Sequence, residues 1–319
     1  MTGSARQRPA GAASTALVFA LLAAPTLHGC LNHYLIHPRE TPPGVVTWQQ
    51  EVTAGSLRIH IEGARPKDEE RFPAVLVHPE AGKTAKQMRG VLRDLASRGY
   101  LAVAADYERL LRGRYRPTLF AWREKKDTTA ALDLLRADPR VDGTRIATLG
   151  FSQGGVFSLL IAARAPEVKA VVAYYPVTDF EAWLTRQQSD PMTRLIFGGI
   201  RWYFRRESEA RNDEDFSRIL GEASPYRHAA EIQAPVLLIH GDRDRSASVE
   251  ESKRLAARLQ ELGREVELIV VADGTHVFNF KRRDLALRAW EATVRWLDTH
   301  LALPRPTDHE RARVRGAQR

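Results

Sequence analysis

Residues 148–155 read TLGFSQGG, and this stretch is more informative than any other part of the chain. It contains the pattern G-x-S-x-G at residues 150–154, with Ser152 at its centre. An apolar run precedes the pattern at residues 145–149, and a segment compatible with a helix follows at residues 156–164. Between a strand and a helix, this pattern predicts a sharp turn that presents the serine hydroxyl, because glycine neighbours let the flanking chain pass closely. The alternative is a glycine-rich turn whose serine only caps the helix.

Apolar runs alternate with amphipathic segments on both sides of this turn. Strands are predicted at residues 45–61 (a hairpin of two strands), 73–78, 100–105, 145–149, 168–175, 235–240 and 266–271, and helices at residues 84–98, 120–135, 156–164, 249–262 and 285–301. Strands that alternate with helices predict an α/β fold, in which a mostly parallel, twisted sheet is covered by helices on both faces.

One long segment, at about residues 176–231, interrupts this alternation. It is polar and helix-leaning, and it contains several large aromatic residues. We therefore expect a helical cap inserted into a single domain that spans residues 45–303. The tail at residues 304–319 has no apolar period and is expected to be disordered.

The start of the chain has the features of an export signal. Residues 1–14 are basic with no acidic residue, and residues 15–27 form an apolar core that is too short for an ordinary transmembrane helix. The residues that end at Cys30 resemble the lipobox of bacterial lipoproteins. We expect a signal peptide at residues 1–29, a lipidated Cys30 and a tether at residues 30–44. This would be an exported lipoprotein anchored to a membrane of the cell envelope, on its periplasmic or surface side. Plain cleavage, an uncleaved anchor and a disordered cytoplasmic leader are the alternatives.

The composition is typical of a globular protein with a basic surface. The 319 residues are 44% hydrophobic and 27% charged, which is enough for one large domain. The formal net charge is +9, but the excess of Lys and Arg is spread over most helices. Because no basic stripe interleaved with aromatic residues occurs, nucleic acid is not an expected partner.

Cys30 is the single cysteine, so an intrachain disulfide is excluded. These features do not indicate the oligomeric state.

A serine nucleophile needs a base within hydrogen-bond reach, and the base needs a third group to hold it. In a sheet of this kind these partners follow later strands, in the chain order serine, acid, histidine. His276 follows the last predicted strand and is the expected base, since the other histidines are less suitably placed. Asp242 and Asp244 both follow the preceding strand, and Asp179 follows an earlier one. We favour Asp244 as the acid, with the other two as alternatives.

Four motifs together point to a known family. They are GFSQGG at residues 150–155, ASPY at residues 223–226, HGDRD at residues 240–244 and GTH at residues 274–276. This combination resembles the dienelactone hydrolase family and the related catalytic domains of prolyl-oligopeptidase-type enzymes, over about residues 45–301. The resemblance implies an α/β-hydrolase fold, with the acid of the family on Asp244 and its histidine on His276. Dienelactone hydrolases have a cysteine where this chain has Ser152, a difference that keeps acyl transfer intact.

Two backbone N–H groups are expected to form an oxyanion hole. One belongs to Gln153, directly after the nucleophile. The other belongs to the loop after the strand at residues 73–78, where Pro79 has no N–H to donate. The resemblance to the Glu-containing loop of the family selects Ala81. Glu80 is expected near the nucleophile, as its family equivalent is; otherwise it is an exposed carboxylate before a helix.

Substrate-binding candidates are fewer and less specific. Tyr107 and Arg109 follow a strand near the expected site, where an arginine suits an anionic substrate group. The same arginine-rich run also fits a solvated loop. Trp183 is the substrate-binding candidate among the aromatic residues of the cap. These residues either line an acyl pocket or only pack the cap onto the sheet. His78 and His240 are expected to hold loops at strand ends.

The predicted function is therefore a serine hydrolase that cleaves small-molecule carboxylic esters through an acyl-enzyme on Ser152, with no metal and no other cofactor. One alternative is a peptidase or acylaminoacyl hydrolase of the prolyl-oligopeptidase lineage. Another is a non-catalytic surface lipoprotein that uses the hydrolase fold for binding.

Overall fold

The computed structural model is built around an eight-stranded sheet. The structure describes residues 32–301, apart from residues 55–56, 69–70, 107, 112–113, 118–125 and 187–190. The strands of the described chain are Val45–Ala54 (β1), Leu57–Pro66 (β2), Phe72–His78 (β3), Leu101–Ala105 (β4), Glu108–Leu111 (β5), Arg114–Pro117 (β6), Val141–Phe151 (β7), Val168–Tyr174 (β8), Val236–Gly241 (β9) and Val266–Val271 (β10). Their order in the sheet is β1-β2-β4-β3-β7-β8-β9-β10, while β5 and β6 form a separate hairpin.

The sheet is antiparallel at one edge and parallel over the rest. The strands β1 and β2 form the predicted hairpin, and β2 also runs antiparallel to β4. All other neighbouring strands of the large sheet are parallel. On β3, Val75 and Val77 pack into one core, whereas Ala74 and Leu76 pack into the core on the opposite face. All seven residues of β3 are buried, as expected for a parallel strand covered on both sides.

Helices cover both faces of the sheet. The helices of the described chain are Arg89–Ser97 (α1), Lys126–Ala137 (α2), Gln153–Ala162 (α3), Phe180–Arg186 (α4), Pro191–Glu207 (α5), Asp213–Glu222 (α6), Val249–Glu261 (α7) and Arg283–His300 (α8), with short 3₁₀ helices at Ala85–Met88, Pro225–His228 and Phe278–Phe280. Residues of α1 and α8 pack into one core, and residues of α2, α3 and α7 pack into the other. In the ranges that the structure describes, no helix is both long enough and apolar enough to cross a membrane.

The predicted cap corresponds to three helices, α4, α5 and α6, inserted between β8 and β9. They share an apolar core of their own, rich in aromatic rings. Val156 and Leu160 of α3 belong to the same core. The cap therefore packs on the helix that follows the TLGFSQGG turn. The cap core also contains Phe180, Trp183, Leu184, Phe197, Ile200, Tyr203, Phe204, Phe216, Leu220 and Ala223.

The structure docks the predicted tether against the domain from Asn32 onward. The Asn32 N–H donates a hydrogen bond of 3.0 Å to the carbonyl oxygen of Phe280. Ile36 is buried in the core formed with α1 and α8, and two histidines of the segment are buried beside it. Because two of the buried side chains in this segment are histidines, its sequence has no apolar period. For that reason its docking could not be read from a hydrophobicity pattern.

Candidate active site

Ser152 occupies a strained turn between β7 and α3. Its backbone angles are φ 52° and ψ −115°, a left-handed conformation that costs a residue with a side chain about 1–3 kcal/mol. A Cβ on Gly150 would lie 2.0 Å from the carbonyl oxygen of Gly154. A Cβ on Gly154 would lie 2.1 Å from the carbonyl oxygen of His78. Both glycines are therefore required for steric reasons, and the turn holds the serine at the carboxyl end of β7.

Three side chains from separate loops meet in a hydrogen-bonded series. The Oγ of Ser152 lies 3.0 Å from Nε2 of His276, and Nδ1 of His276 lies 2.6 Å from Oδ2 of Asp244. Ser152 follows β7, Asp244 follows β9 and His276 follows β10. Because these strands are parallel, their carboxyl ends lie along one edge of the sheet. The geometry suits proton transfer from the serine to the imidazole, with the carboxylate fixing the ring tautomer.

Backbone donors and a second histidine hold the Asp244 carboxylate. Its Oδ1 accepts hydrogen bonds from the N–H groups of Ser246 (2.8 Å) and Ala247 (2.9 Å). Nε2 of His240 lies 3.5 Å from Oδ2. Burial raises the pKa of this carboxyl, but the adjacent His276 and His240 rings lower it by more, so the net pKa lies below its ordinary value. Asp244 is therefore ionised at neutral pH.

His240 stabilises the same turn from inside the protein. Its Nε2 N–H donates 2.9 Å to the carbonyl oxygen of Ala247, and its Nδ1 lies 2.7 Å from the hydroxyl of Ser252 on α7. The ring is fully buried. The structure thus gives His240 the loop-holding position expected for it, and the contact with Asp244 adds a link that the sequence did not indicate.

The two alternative acids lie elsewhere. Asp242 is exposed at the surface of the same turn. The carboxylate of Asp179 caps the start of α4, where Oδ1 accepts from the N–H of Ala182, and Oδ2 lies 3.2 Å from Arg254. Of the three candidates, only Asp244 contacts His276 in the structure.

Tyr175 and Asn279 support the His276 ring and were not anticipated from the sequence. The Tyr175 ring packs edge-on against His276, with 4.8 Å between the ring centroids. Its hydroxyl donates a hydrogen bond of 2.6 Å to Oδ1 of Asn279. Burial and the nearby Glu80 carboxylate raise the pKa of Tyr175 well above its usual value, so the hydroxyl stays protonated. The available signal was positional: Tyr175 directly follows β8, and Asn279 lies three residues after the histidine.

The proposed oxyanion loop lies against the turn at Ser152. The close approach of Gly154 to the carbonyl groups of His78 and Pro79 fixes the start of this loop. Gln153 is the first residue of α3, where backbone N–H groups and the helix dipole favour a negative charge. Ala81 follows in the exposed part of the loop. The structure therefore brings the two segments that contain the expected donors side by side.

Glu80 is buried, with 5% of its surface exposed, so the alternative of an exposed carboxylate is wrong. Its Oε1 lies 2.9 Å from Nε2 of His33.

Trp183 is buried within the aromatic core of the cap, and its Nε1 donates to the carbonyl oxygen of Ser246. This position corresponds to the packing alternative for the cap aromatics and not to an open acyl pocket.

The remaining predicted residues are not placed at the site. Tyr107 and Cys30 lie outside the described residues. Arg109 is on β5 of the small hairpin, opposite Arg116 on β6. Within the ranges that are described, no three side chains among His, Cys, Asp and Glu are grouped as metal ligands.

Proteins similar to this chain include a peptidase and a lactonase. A model of the prolyl oligopeptidase family matches residues 119–303, more than half of the chain. YtmA, an uncharacterized peptidase of Bacillus subtilis, is 28% identical over 228 residues, which cover 70% of this chain and 84% of that protein. A "probable 2-oxo-3-(5-oxofuran-2-ylidene)propanoate lactonase" of Bradyrhizobium is 26% identical over 253 residues, which cover 75% of this chain and 88% of that protein.

A solved structure shows the same fold. The crystal structure of P91, a dienelactone hydrolase-like phosphotriesterase from metagenomic libraries, superposes with a TM-score of 0.58 at 20% identity. The superposition covers 81% of this chain and 99% of that one. The predicted α/β-hydrolase fold is thereby confirmed, and both lineages named from the sequence motifs recur among the similar proteins.

Proposed function

This chain belongs to the prolyl oligopeptidase family, and from that premise we propose that it is a serine hydrolase that cleaves carboxylic esters through an acyl-enzyme on Ser152. The observation that supports the proposal most directly is the hydrogen-bonded series from Ser152 through His276 to Asp244. Family membership supports a hydrolase, and the series supplies a nucleophile, a base and an orienting acid in the required order.

In the first step, Nε2 of His276 accepts the proton of Ser152 as Oγ attacks the acyl carbonyl carbon. A new C–O bond forms, and the carbonyl electron pair moves onto its oxygen. The N–H groups of Gln153 and Ala81 stabilise that oxyanion, and Asp244 stabilises the imidazolium. The bond to the leaving alcohol then breaks, and His276 gives its proton to the leaving oxygen.

Water completes the cycle by the same route. His276 removes a proton from the water as its oxygen attacks the acyl-enzyme. The bond to Ser152 breaks, the serine oxygen regains a proton from the imidazolium, and a carboxylic acid leaves. Throughout, the low pKa of Asp244 keeps a negative charge behind the ring, which favours the imidazolium.

The choice of ester over amide rests on the similar lactonase and on the chemistry of the leaving group. A lactone is a cyclic ester, and the similar lactonase covers 75% of this chain. The competing activity is peptide or acylaminoacyl hydrolysis, which the family description and the similarity to YtmA favour. An amide makes a further demand, because its nitrogen must be protonated before it leaves.

Matched substrates separate the two activities. We expect p-nitrophenyl esters of a set of acyl groups to be hydrolysed, and the p-nitroanilides of the same groups to react at about a thousandth of that kcat/KM or less. Anilide turnover within about tenfold of the ester would favour the peptidase.

A fluorophosphonate probe tests the serine nucleophile itself. It should label Ser152 in the folded protein and leave Ser152→Ala unlabelled. An unlabelled wild-type protein would contradict the serine hydrolase mechanism.

We further propose that the enzyme is exported and anchored through a lipid on Cys30. The basic and apolar pattern of residues 1–29 supports this location. Because the docked segment starts at Asn32, two residues of chain span at most about 7 Å and would hold the domain close to the membrane. The wild-type chain should partition into detergent and Cys30→Ser should not. Equal partitioning of the two would contradict the anchor.

A further inference from the structure

His33 links the docked N-terminal segment to the loop that contains the proposed oxyanion donor. Nε2 of His33 lies 2.9 Å from Oε1 of Glu80, and both side chains are buried. The other carboxylate oxygen of Glu80, Oε2, is buried with no hydrogen-bond partner among the described residues. A buried carboxylate needs hydrogen bonds to replace its hydration. In the described structure, His33 supplies the hydrogen-bonding group that holds Glu80 inside the protein.

The same histidine also contacts the segment that follows the proposed base. The ring of His33 packs on Phe280 with 4.5 Å between centroids, and the neighbouring Asn32 N–H bonds the carbonyl oxygen of Phe280. Phe280 in turn lies 5.2 Å, centroid to centroid, from Phe151, the residue before the nucleophile. His33 thus lies among three segments that bear proposed site residues: the Glu80 loop, the turn after His276 and the end of β7.

We propose that His33 is a positioning residue, which fixes the Glu80 loop and through it the oxyanion donor at Ala81. The role rests on the proposed hydrolase function, since it acts on the geometry of that site. His33 touches neither the nucleophile nor the substrate in this scheme. It acts through Glu80, the residue directly before Ala81.

The physical consequence of losing His33 follows from the isolation of Glu80. Without the imidazole, the side chain of Glu80 loses its one hydrogen-bond partner among the described residues and must move toward another partner or toward solvent. That movement displaces the turn at Glu80, whose carbonyl oxygen accepts from the N–H of Lys83 at 3.1 Å. An oxyanion donor displaced by about 1 Å loses most of its effect, so kcat should fall about 10- to 100-fold. Ground-state binding does not use this donor fully, so KM should change less than about threefold.

The docked segment contains its own matched control. Nδ1 of His37 lies 2.9 Å from Oδ2 of Asp94, and this pair is as deeply buried as the first. Asp94 is on α1 and also bonds Arg98, away from the proposed site. Replacing His37 therefore removes a similar buried contact without affecting the Glu80 loop.

The experiment compares His33→Ala and His37→Ala, together with His33→Phe and His37→Phe, in the full chain. The phenylalanine variants keep the packing volume and remove the hydrogen bond, so they remain usable if the alanine variants do not fold. Both His33 variants should show the fall in kcat, and both His37 variants should keep kcat within about twofold of wild type. His33→Gln, whose amide nitrogen can replace Nε2, should recover kcat to within about fivefold.

Amide hydrogen exchange gives a readout independent of turnover. Exchange at Lys83 should accelerate at least about tenfold in the His33 variants and remain at the wild-type rate in the His37 variants. If the wild-type enzyme turns over esters but the His33 and His37 variants behave alike in kcat and exchange, the positioning role is wrong while the hydrolase function stands. If the wild-type protein neither reacts with the probe nor hydrolyses any substrate, the hydrolase proposal fails, and the exchange rates alone still decide whether His33 holds the Glu80 loop.

Discussion

The indole N–H of Trp183 donates a hydrogen bond of 2.8 Å to the carbonyl oxygen of Ser246. Trp183 is on the cap helix α4, and Ser246 is in the turn after β9, where its own N–H donates to Asp244. The cap is therefore connected to the acid of the proposed triad through one residue. Beyond its packing in the cap core, Trp183 thus links the cap to the turn that holds Asp244.

Trp183→Phe should weaken that connection while keeping most of the aromatic packing. Losing the donor leaves a partly buried carbonyl group without this partner, so the free energy of unfolding should fall by about 1 kcal/mol. We expect kcat/KM for a p-nitrophenyl ester to fall about three- to tenfold, because the Ser246 turn orients Asp244. Trp202→Phe on the exposed face of α5 serves as the control and should change neither quantity measurably. Equal effects of the two substitutions would contradict the connection.

Asp244→Asn should lower kcat about 10³- to 10⁴-fold. The amide keeps the shape of the side chain but cannot hold the imidazole in the required tautomer or stabilise its charge. The rate of fluorophosphonate labelling at Ser152 should fall in parallel with kcat. Asp242→Asn, two residues earlier and exposed, should stay within about twofold of wild type. A larger loss at Asp242 or Asp179 than at Asp244 would identify a different acid.

Much of the fold could be predicted because its signals are local. The strand at Val266–Val271 was predicted with the same ends, and the buried run of β3 differs from its prediction by one residue. Each of these strands is a short, mostly apolar run. Such a run is the sequence pattern expected of a buried or half-buried strand. The helix predicted at residues 84–98 was found with a different start, as a 3₁₀ turn at Ala85–Met88 that leads into α1. Helix ends depend on capping contacts that periodicity does not encode.

Other features depend on contacts between distant residues and were not predictable. His33 and Glu80 are 47 positions apart, and both are residue types that composition assigns to the surface. The hairpin of β5 and β6 lies in an arginine-rich run that resembles a solvated loop. At the site, chain order and strand ends suggested Ser152, Asp244 and His276, but the supporting contacts of Tyr175 and Asn279 arise only from the folded arrangement.

Gly154→Ala should destabilise the protein strongly. The added methyl group would lie 2.1 Å from the carbonyl oxygen of His78, and that oxygen belongs to a buried strand that cannot move freely. We expect the free energy of unfolding to fall by about 3 kcal/mol or more. Gly198→Ala in the middle of α5 is the matched control, because no atom lies within 4 Å of the added methyl group. Its higher helix propensity should raise stability by about 0.5–1 kcal/mol. Chemical denaturation measures both, and a Gly154→Ala protein as stable as wild type would contradict the close approach.

Stability should decline in mild acid, in part because His78 is buried. Burial lowers the pKa of His78 from 6.5 to about 3. Below pH 6.5 the unfolded chain binds a proton at this residue and the folded protein does not, so stability is lost as the pH falls from 6.5 toward 3. At about 1.4 kcal/mol per pH unit, His78 accounts for a loss of about 2 kcal/mol between pH 6.5 and pH 5.

Replacing His78 therefore changes the slope of stability against pH as well as its level. Chemical denaturation of His78→Gln at pH 7, 6 and 5 should show a loss between pH 7 and pH 5 that is smaller than in wild type by about 2 kcal/mol. His60→Gln should change the slope in the opposite direction. Partial burial lowers the pKa of His60, but its hydrogen bonds to Glu62 and Glu51 raise it by more. Protonated His60 thus stabilises the fold below the unfolded pKa, and its loss should steepen the decline in acid. Parallel curves for wild type and His78→Gln would show that the pKa of His78 does not differ between the folded protein and the unfolded chain.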